Sequence, residues 1–303
     1  MLYNKLCLDI GCNDGKLTAE IAKVCKPRLI IGIDVDNHLI ECAEKLNKRI
    51  IFEHEIGQLA KLKENQLIND RKAEHRSFPS KSLSFIPRTV KIRSFQVREI
   101  VTDSTGIRKD DQTYPYNMKY LCKTVFQLSS TSIYDVVLCL SVVKWVHLNE
   151  GDEGLLTFFK RIHELLKVDG LLFLEFQPWK SYVNNRATSE RTKRVFPTLQ
   201  IRPEDFKTVL EEEIGFHFER NLGCELKEAC GFNRPIYLLR KRLITDHTKS
   251  LADIVKKFAD IRQAERKGLE LKRALDDIAS SSSTSEIGID NISAAFQVKR
   301  KKL

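Results

Sequence analysis

The chain has 303 residues, and its formal net charge of +10 favours an anionic partner such as nucleic acid, although a merely basic soluble protein stays an alternative. Its eight cysteines include no Cys-x-x-Cys pair, which argues against a disulfide framework and a zinc site and favours a reducing compartment. The cysteine spacing therefore predicts no metal cofactor. No apolar run approaches the roughly 20 residues of a membrane-spanning helix, so we also expect no membrane partner.

The first elements alternate between strand and helix. Continuous apolar strands between amphipathic helices are typical of a mostly parallel sheet with helices on both faces, and therefore of the α/β class. The pattern predicts strands at Cys7–Ile10 and Leu29–Ile33 and helices at Lys16–Cys25 and Asn37–Leu46.

Residues 57–133 interrupt this alternation. The part from 61 to 98 is rich in Lys and Arg and lacks a clear period, so we expect a basic and partly irregular insertion, with a strand returning at Lys119–Gln127. An RNA-facing loop and a solvated insertion are equally good interpretations.

The alternation resumes in the second half and completes one domain over residues 1–241. The predicted elements are strand Asp135–Leu140, helix 153–167, strand Leu171–Phe176, a helix opening at Pro203, and final strands at Phe216–Arg220 and Pro235–Arg240.

The C-terminal part has a different character. Residues 242–279 have a helical apolar stripe, which predicts either a helix for an RNA-binding protein partner or one that folds back on the domain. Residues 280–303 have the composition of a disordered basic tail. The cluster at 299–302 favours the nucleus, with the cytoplasm left open.

A glycine turn follows the first strand. Gly11 allows a ligand to approach the backbone, and Gly15 allows the next helix to pack closely. Asn13 stands where a dinucleotide-binding turn has its second glycine, so the spacing favours a cofactor without phosphates. Asp34 ends the second strand, where an acid can bind ribose hydroxyls. The candidate cofactor residues are Asp9, Gly11, Cys12, Asn13, Gly15, Asp34, Val35, Leu140 and Ser141.

Polar and aromatic side chains gather after the strand that ends at Leu140. We expect a loop there, leading to the helix at 153–167. Lys can bind a phosphate, Trp can stack on a base, and His and Asn can form hydrogen bonds. The residues concerned are Lys144, Trp145, His147 and Asn149.

Several motifs resemble the Bin3 family of RNA 5′-end methyltransferases, which have the class I, Rossmann-like methyltransferase fold. Similarity covers about 1–55 and 134–241. The motifs are the turn with Asp9, Gly11, Gly15 and Asp34; Lys144-Trp145-Val146-His147-Leu148-Asn149; Glu175-Phe176-Gln177-Pro178-Trp179 with Ser181-Tyr182; and Gly231-Phe232-Asn233-Arg234-Pro235-Ile236-Tyr237.

The resemblance implies transfer of a methyl group from S-adenosylmethionine to the 5′-terminal phosphate of a small non-coding RNA. It further implies that Lys144 and His147 contact phosphate and that Asn149 and Gln177 orient it. Trp179 and Tyr182 would stack or form walls. In the alternative, Trp145 belongs to the core, His147 is structural, and Glu175 only ties down loops.

The sequence departs from the family pattern in three places. It has no Tyr-rich segment before the first strand, no Gly-Asn-Tyr motif near Tyr120–Val125, and Val183-Asn184-Asn185 where the family often has basic residues. A weakly active or inactive RNA-binding scaffold of the same fold therefore stays an alternative. The Lys-Trp-Val-His-Leu motif argues against a small-molecule or protein methyltransferase.

Overall fold

A computed structural model describes residues 1–74, 113–129, 132–224, 234–242 and 250–281. The chain divides into two compact units, Met1–Leu251 and Ala252–Leu303. Within the described residues, no helix combines the length and the apolar character needed to cross a membrane.

The described part of the first unit contains one seven-stranded sheet. Its strands are β1 (Leu6–Ile10), β2 (Leu29–Asp34), β3 (Met118–Cys122), β4 (Tyr134–Leu140), β5 (Leu166–Glu175), β6 (Phe216–Asn221) and β7 (Ile236–Lys241). The helices of the chain are α1 (Lys16–Cys25), α2 (Asn37–Glu74), α3 (Val143–Leu165), α4 (Trp179–Asn185), α5 (Glu190–Val195), α6 (Phe206–Thr208, continued by a π turn, Val209–Ile214) and α7 (Leu251–Ser281).

The strand order, β3-β2-β1-β4-β5-β7-β6, confirms the predicted α/β fold. Strands β1 to β5 are parallel to one another, and β7 is antiparallel to both β5 and β6. From β1 the chain builds outward to β2 and β3, and then returns to the other side of β1 with β4. Ligands of open α/β sheets bind at such a switch point, outside the carboxyl ends of the strands.

The central strands are buried because their apolar runs are covered by other elements. All five residues of β1 are buried, and the core cluster around it includes Cys7, Ile30 and Val136. This core fixes the carboxyl ends of β1, β2 and β4, from which the candidate site residues follow.

Helix α2 is longer than predicted. It continues through residues 47–74, so the insertion does not become irregular at residue 57. This stretch is rich in Lys, Glu, Gln and Leu, whose high helix propensity compensates for the missing apolar stripe. Strand β3 returns at Met118, close to the expected position. The rest of the basic loop predicted at 61–98, residues 231–233 of the last motif and the tail beyond Ser281 lie outside the described residues.

The segment after β4 is a helix rather than the predicted loop. Helix α3 begins at Val143, and Gly151 interrupts it with a φ of 73°. Val143, His147 and Leu148 are all buried, so the first turns have a helical core-facing side that the polar residues between them obscure in the sequence.

Gly11 joins the glycine turn to the start of α3. Its φ is 71°, and a Cβ atom at this position would lie 2.3 Å from Cγ2 of Val142. The amides of Gly11 and Cys12 both donate to the carbonyl of Ile33, at 2.8 and 3.0 Å. The turn therefore has both a left-handed backbone and a backbone approach that exclude a side chain.

We expect Gly11→Ala to lower the free energy of unfolding by at least about 1–2 kcal/mol, the cost of a left-handed alanine alone. Gly57→Ala is the matched control, because nothing lies within 4 Å of its added Cβ in α2. The control should stabilise the protein by roughly 0.5–1 kcal/mol. Urea unfolding measures both, and equal effects of the two substitutions would contradict this account of the turn.

Candidate active site

An open cavity of about 1160 Å³ lies at the carboxyl edge of β1, β2 and β4. All the candidate cofactor residues except Gly15 line it. The sheet therefore brings together the two sequence motifs at β1 and β4, which are more than 120 residues apart in the chain. Phe126 and Trp145 also line the cavity, and their rings give it apolar walls.

Gly15 and Cys12 support the turn from behind. Gly15 has a φ of 76°, and a Cβ there would lie 2.7 Å from that of Ala43, which fits its predicted packing role. The Cys12 thiol is buried against Gly32, and burial raises its pKa to about 12. Cys12 therefore offers its backbone, and not a thiolate, to a ligand.

Asp34 is fixed at the cavity wall by two backbone amides. Its Oδ2 accepts from the amide of Asn13 at 3.1 Å, and its Oδ1 accepts from that of Asp36 at 3.0 Å. Each carboxylate oxygen can accept a second hydrogen bond. The arrangement fits a ribose diol, and the apolar side chains of Val125 and Phe126 suit an adenine ring. These two side chains lie in a 3₁₀ turn, Val125–Gln127, which follows the end of β3 at Cys122. The predicted strand ran on to Gln127, so its last part was wrong.

Asp9 places a buried carboxyl group at the same edge. The Thr18 hydroxyl donates to its Oδ2 at 2.6 Å. Burial raises the pKa of Asp9 to about 6, and the charge of Asp34 adds to the rise, although the Thr18 hydrogen bond opposes it. A cationic ligand nearby would offset this desolvation cost.

Ser141, Glu175 and Arg234 form a network at the ends of β4, β5 and β7. Arg234 Nη1 donates to Ser141 Oγ at 2.8 Å and to Glu175 Oε1 at 3.0 Å. Ser141 Oγ also donates to Glu175 Oε1, at 3.0 Å. The position of Arg234 in the sequence does not show that the antiparallel β7 brings it against two residues of the cavity wall.

Lys144 is only 6% exposed and lies behind the cavity wall. Its ammonium donates to Ser181 Oγ at 3.2 Å and lies 4.3 Å from the ring centroid of Trp145. No carboxylate of the described residues pairs with it. Burial, and then the charge of Arg234, lower the pKa of Lys144. Trp145 is 41% exposed on the cavity wall, so it does not belong to the core.

The structure does not place His147 at the cavity. Its side chain is fully buried, and its Nε2 donates to Asp152 Oδ1 at 2.8 Å. Asp152 also accepts hydrogen bonds from the backbone amides of Gln200 and Ile201, at 2.7 and 3.1 Å. This geometry favours the structural alternative for His147, which fastens α3 to the segment after α5.

Of the remaining candidate residues, one lines the cavity and the others lie in the structure behind it. Asn149 lines the cavity, and its amide donates to the carbonyl of Trp145. Gln177 is buried, with Nε2 3.5 Å from the carbonyl of Ser141. Trp179 stacks on Tyr182 with ring centroids 5.3 Å apart, and Tyr182 is fully buried. These two aromatic rings therefore support the start of α4 from inside.

Known proteins match most of the chain. The Bicoid-interacting protein 3 (Bin3) family model matches residues 134–241. A probable RNA methyltransferase of Arabidopsis thaliana is 34% identical over 238 residues, which cover 78% of this chain and 70% of that protein. The human 7SK snRNA methylphosphate capping enzyme is 32% identical over 79% of this chain, but the match spans only 35% of that protein. A U6 snRNA methylphosphate capping enzyme of Drosophila melanogaster is 28% identical over 80% of this chain and 64% of that protein.

The sheet order, the glycine turn and the acid at the end of β2 define a class I methyltransferase fold with its cofactor cavity. Within that class, the chain belongs to the Bin3 family. Both the fold and the family expected from the motifs are thereby confirmed.

We expect the free energy of unfolding to depend on pH through the buried carboxyl group of Asp9. The pKa of this carboxyl is about 6 in the folded protein and 3.8 for an unperturbed aspartate, so the protonated form favours folding. This stabilisation is fully present below about pH 4 and is lost as the pH rises through about 6. Asp9→Asn keeps an acceptor for Thr18. It should raise the free energy of unfolding at about pH 8 by up to about 3 kcal/mol and change it little at about pH 4.

Urea unfolding at the two pH values measures this difference. Asp14→Asn is the control, because pairing with Lys16 lowers the pKa of Asp14 and its removal should slightly destabilise the protein at the higher pH. A loss of stability in Asp9→Asn at the higher pH would mean that the folded chain itself stabilises the charged carboxylate.

Proposed function

We propose that this chain transfers a methyl group from S-adenosylmethionine to the 5′-terminal phosphate of a small non-coding RNA. The observation that carries the proposal is that two cations, Lys144 and Arg234, lie near each other beside the cavity. Lys144 is almost buried, the charge of Arg234 acts on it, and no described carboxylate neutralises it.

A buried cation without an anion is costly, and a second cation nearby adds to the cost. A terminal phosphate would relieve both effects, because it carries negative charge and several acceptor oxygens. Ser181 accepts from Lys144, so its own hydroxyl proton can go to the same phosphate oxygens. The chemistry of this edge therefore suits a phosphate better than a neutral substrate.

The opposite side of the cavity suits the methyl donor. Asp34 would accept the ribose hydroxyls, and the buried carboxylate of Asp9 suits the positive charge of the amino acid part. When bound, S-adenosylmethionine supplies a methyl group carried on a sulfonium. An anionic oxygen can accept that methyl group without any proton transfer.

No general base is required, because the oxygen of a terminal phosphate is already ionised near neutral pH. This is consistent with the position of His147, whose ring is committed to Asp152. The chain contributes by placing the phosphate oxygen in line with the methyl group, and the rate is sensitive to displacements of about 1 Å. Lys144 and Arg234 would hold the non-reacting oxygens, and Ser141 and Gln177 would fix the orientation.

We further propose a nuclear site of action, because the human and Drosophila relatives are named for small nuclear RNAs. A protein partner at α7 stays a prediction, as do the individual roles of the candidate residues.

The proposal is tested with RNAs that differ only at the 5′ end. A 5′-phosphorylated RNA incubated with methyl-labelled S-adenosylmethionine should gain label, and the same RNA with a 5′-hydroxyl should not. Lys144→Met keeps the apolar stem and removes the charge. Losing a hydrogen bond to a charged group should lower kcat/KM by about 10- to 100-fold. Lys23→Met, an exposed substitution in α1, should have no effect.

Calorimetry with S-adenosylhomocysteine separates the two halves of the site, since Lys144→Met should bind it as the wild type does. Equal labelling of the 5′-hydroxyl RNA would show that the methyl group goes to a base or ribose. If the protein binds S-adenosylhomocysteine but labels neither RNA, the RNA-binding scaffold becomes the better interpretation.

A further inference from the structure

A second groove lies where α5 and the turn after it meet the end of α4. Its volume is about 360 Å³. Two cations, Arg186 and Lys193, line it together with Ala187, Phe196 and Pro197. None of these residues belongs to the cofactor cavity or to the phosphate-binding edge described above.

We propose that this groove, called here the α4–α5 groove, binds the phosphodiester backbone of the RNA downstream of its 5′ end. The proposal rests on the proposed function for the identity of the RNA, but the groove can be tested without methyl transfer.

The surface around the groove has a strong excess of positive charge. Residues 180–202 contain six cations and a single acid, Glu190. Lys193 pairs with Glu190, but both are largely exposed, and such pairs are weak in water. Arg186 and Arg194 are exposed and have no carboxylate partner in the part of the chain that the structure describes. The surface can therefore exchange its counterions for RNA phosphates.

The groove is built from elements that also form the active site. Arg191 of α5 donates through Nε to the carbonyl of Asn149 at 2.6 Å and through Nη2 to Glu150 Oε2 at 2.6 Å. Asn149 and Glu150 line the main cavity. At the other helix, Ser181 of α4 accepts from Lys144. A strand whose end lies between Lys144 and Arg234 therefore leaves the site beside α4 and α5.

The floor of the groove is held rigidly. Phe196 stacks on Trp179 with ring centroids 5.3 Å apart, and Arg202 covers Trp179 with its guanidinium 5.4 Å from the ring. Arg186 Nη1 donates to the carbonyl of Val183 at 2.7 Å, which fixes its guanidinium. Cations beside an apolar ring surface suit a nucleic acid strand better than an acidic peptide, which offers no bases to stack.

The test measures binding of a fluorescent single-stranded RNA with a 5′-hydroxyl, so the terminal phosphate site does not contribute. We expect Arg186→Ala/Lys193→Ala to weaken binding and to flatten the plot of log Kd against log salt by about 0.7 for each lost phosphate contact. Lys23→Ala/Lys45→Ala removes two exposed cations outside both cavities and should leave the slope unchanged.

An unchanged slope in the groove variant, with its melting temperature preserved, would overturn the proposal. A second measurement uses polyglutamate of matched length. The proposal would also be overturned if polyglutamate bound as tightly as the RNA and lost as much affinity in the groove variant, because the surface would then bind an acidic polypeptide. If the protein fails to methylate any RNA but the slope changes as expected, the groove assignment stands and only the proposed function fails.

Discussion

The carboxylate of Glu175 holds together the edge of the sheet on which the site depends. One of its oxygens accepts from both Ser141 and Arg234, and so joins the ends of β4, β5 and β7. Ser141 has a φ of 63°, a conformation that turns the chain from β4 into α3. The network therefore sets both the direction of α3 and the position of the Arg234 guanidinium.

This network also determines how charge is distributed at the cavity. Glu175 is shared with Arg234, and Lys144 is left with a serine and an indole as its partners. One cation is thus largely neutralised and the other is not. A phosphate bound by such a pair would be held in place, while its reacting oxygen would keep much of its negative charge and its nucleophilicity.

Much of the fold could be predicted because apolar periodicity and glycine turns act locally. The alternation of strands and helices fixed β1, β2, β4 and the turn at Gly11, and the position of Asp34 followed from the end of β2. The first turns of α3 were wrongly expected to form a loop, because Lys144 and Asn149 obscure the buried side made by Val143 and Leu148. Chain order cannot show which strand an antiparallel β7 will meet, so the contact between Arg234 and Glu175 had no local signal. The phosphate role of His147 was expected from its place in the Lys-Trp-Val-His-Leu motif, whereas its partner Asp152 lies beyond the break in the helix.

The position of the transferred methyl group tests the central claim most directly. A 5′-phosphorylated RNA would be methylated with S-adenosylmethionine carrying ¹³C in its methyl group, and the product examined by NMR. The account predicts a single labelled methyl resonance whose carbon couples to the ³¹P of the terminal phosphate. A labelled methyl group without that coupling, on a base or a ribose, would contradict it.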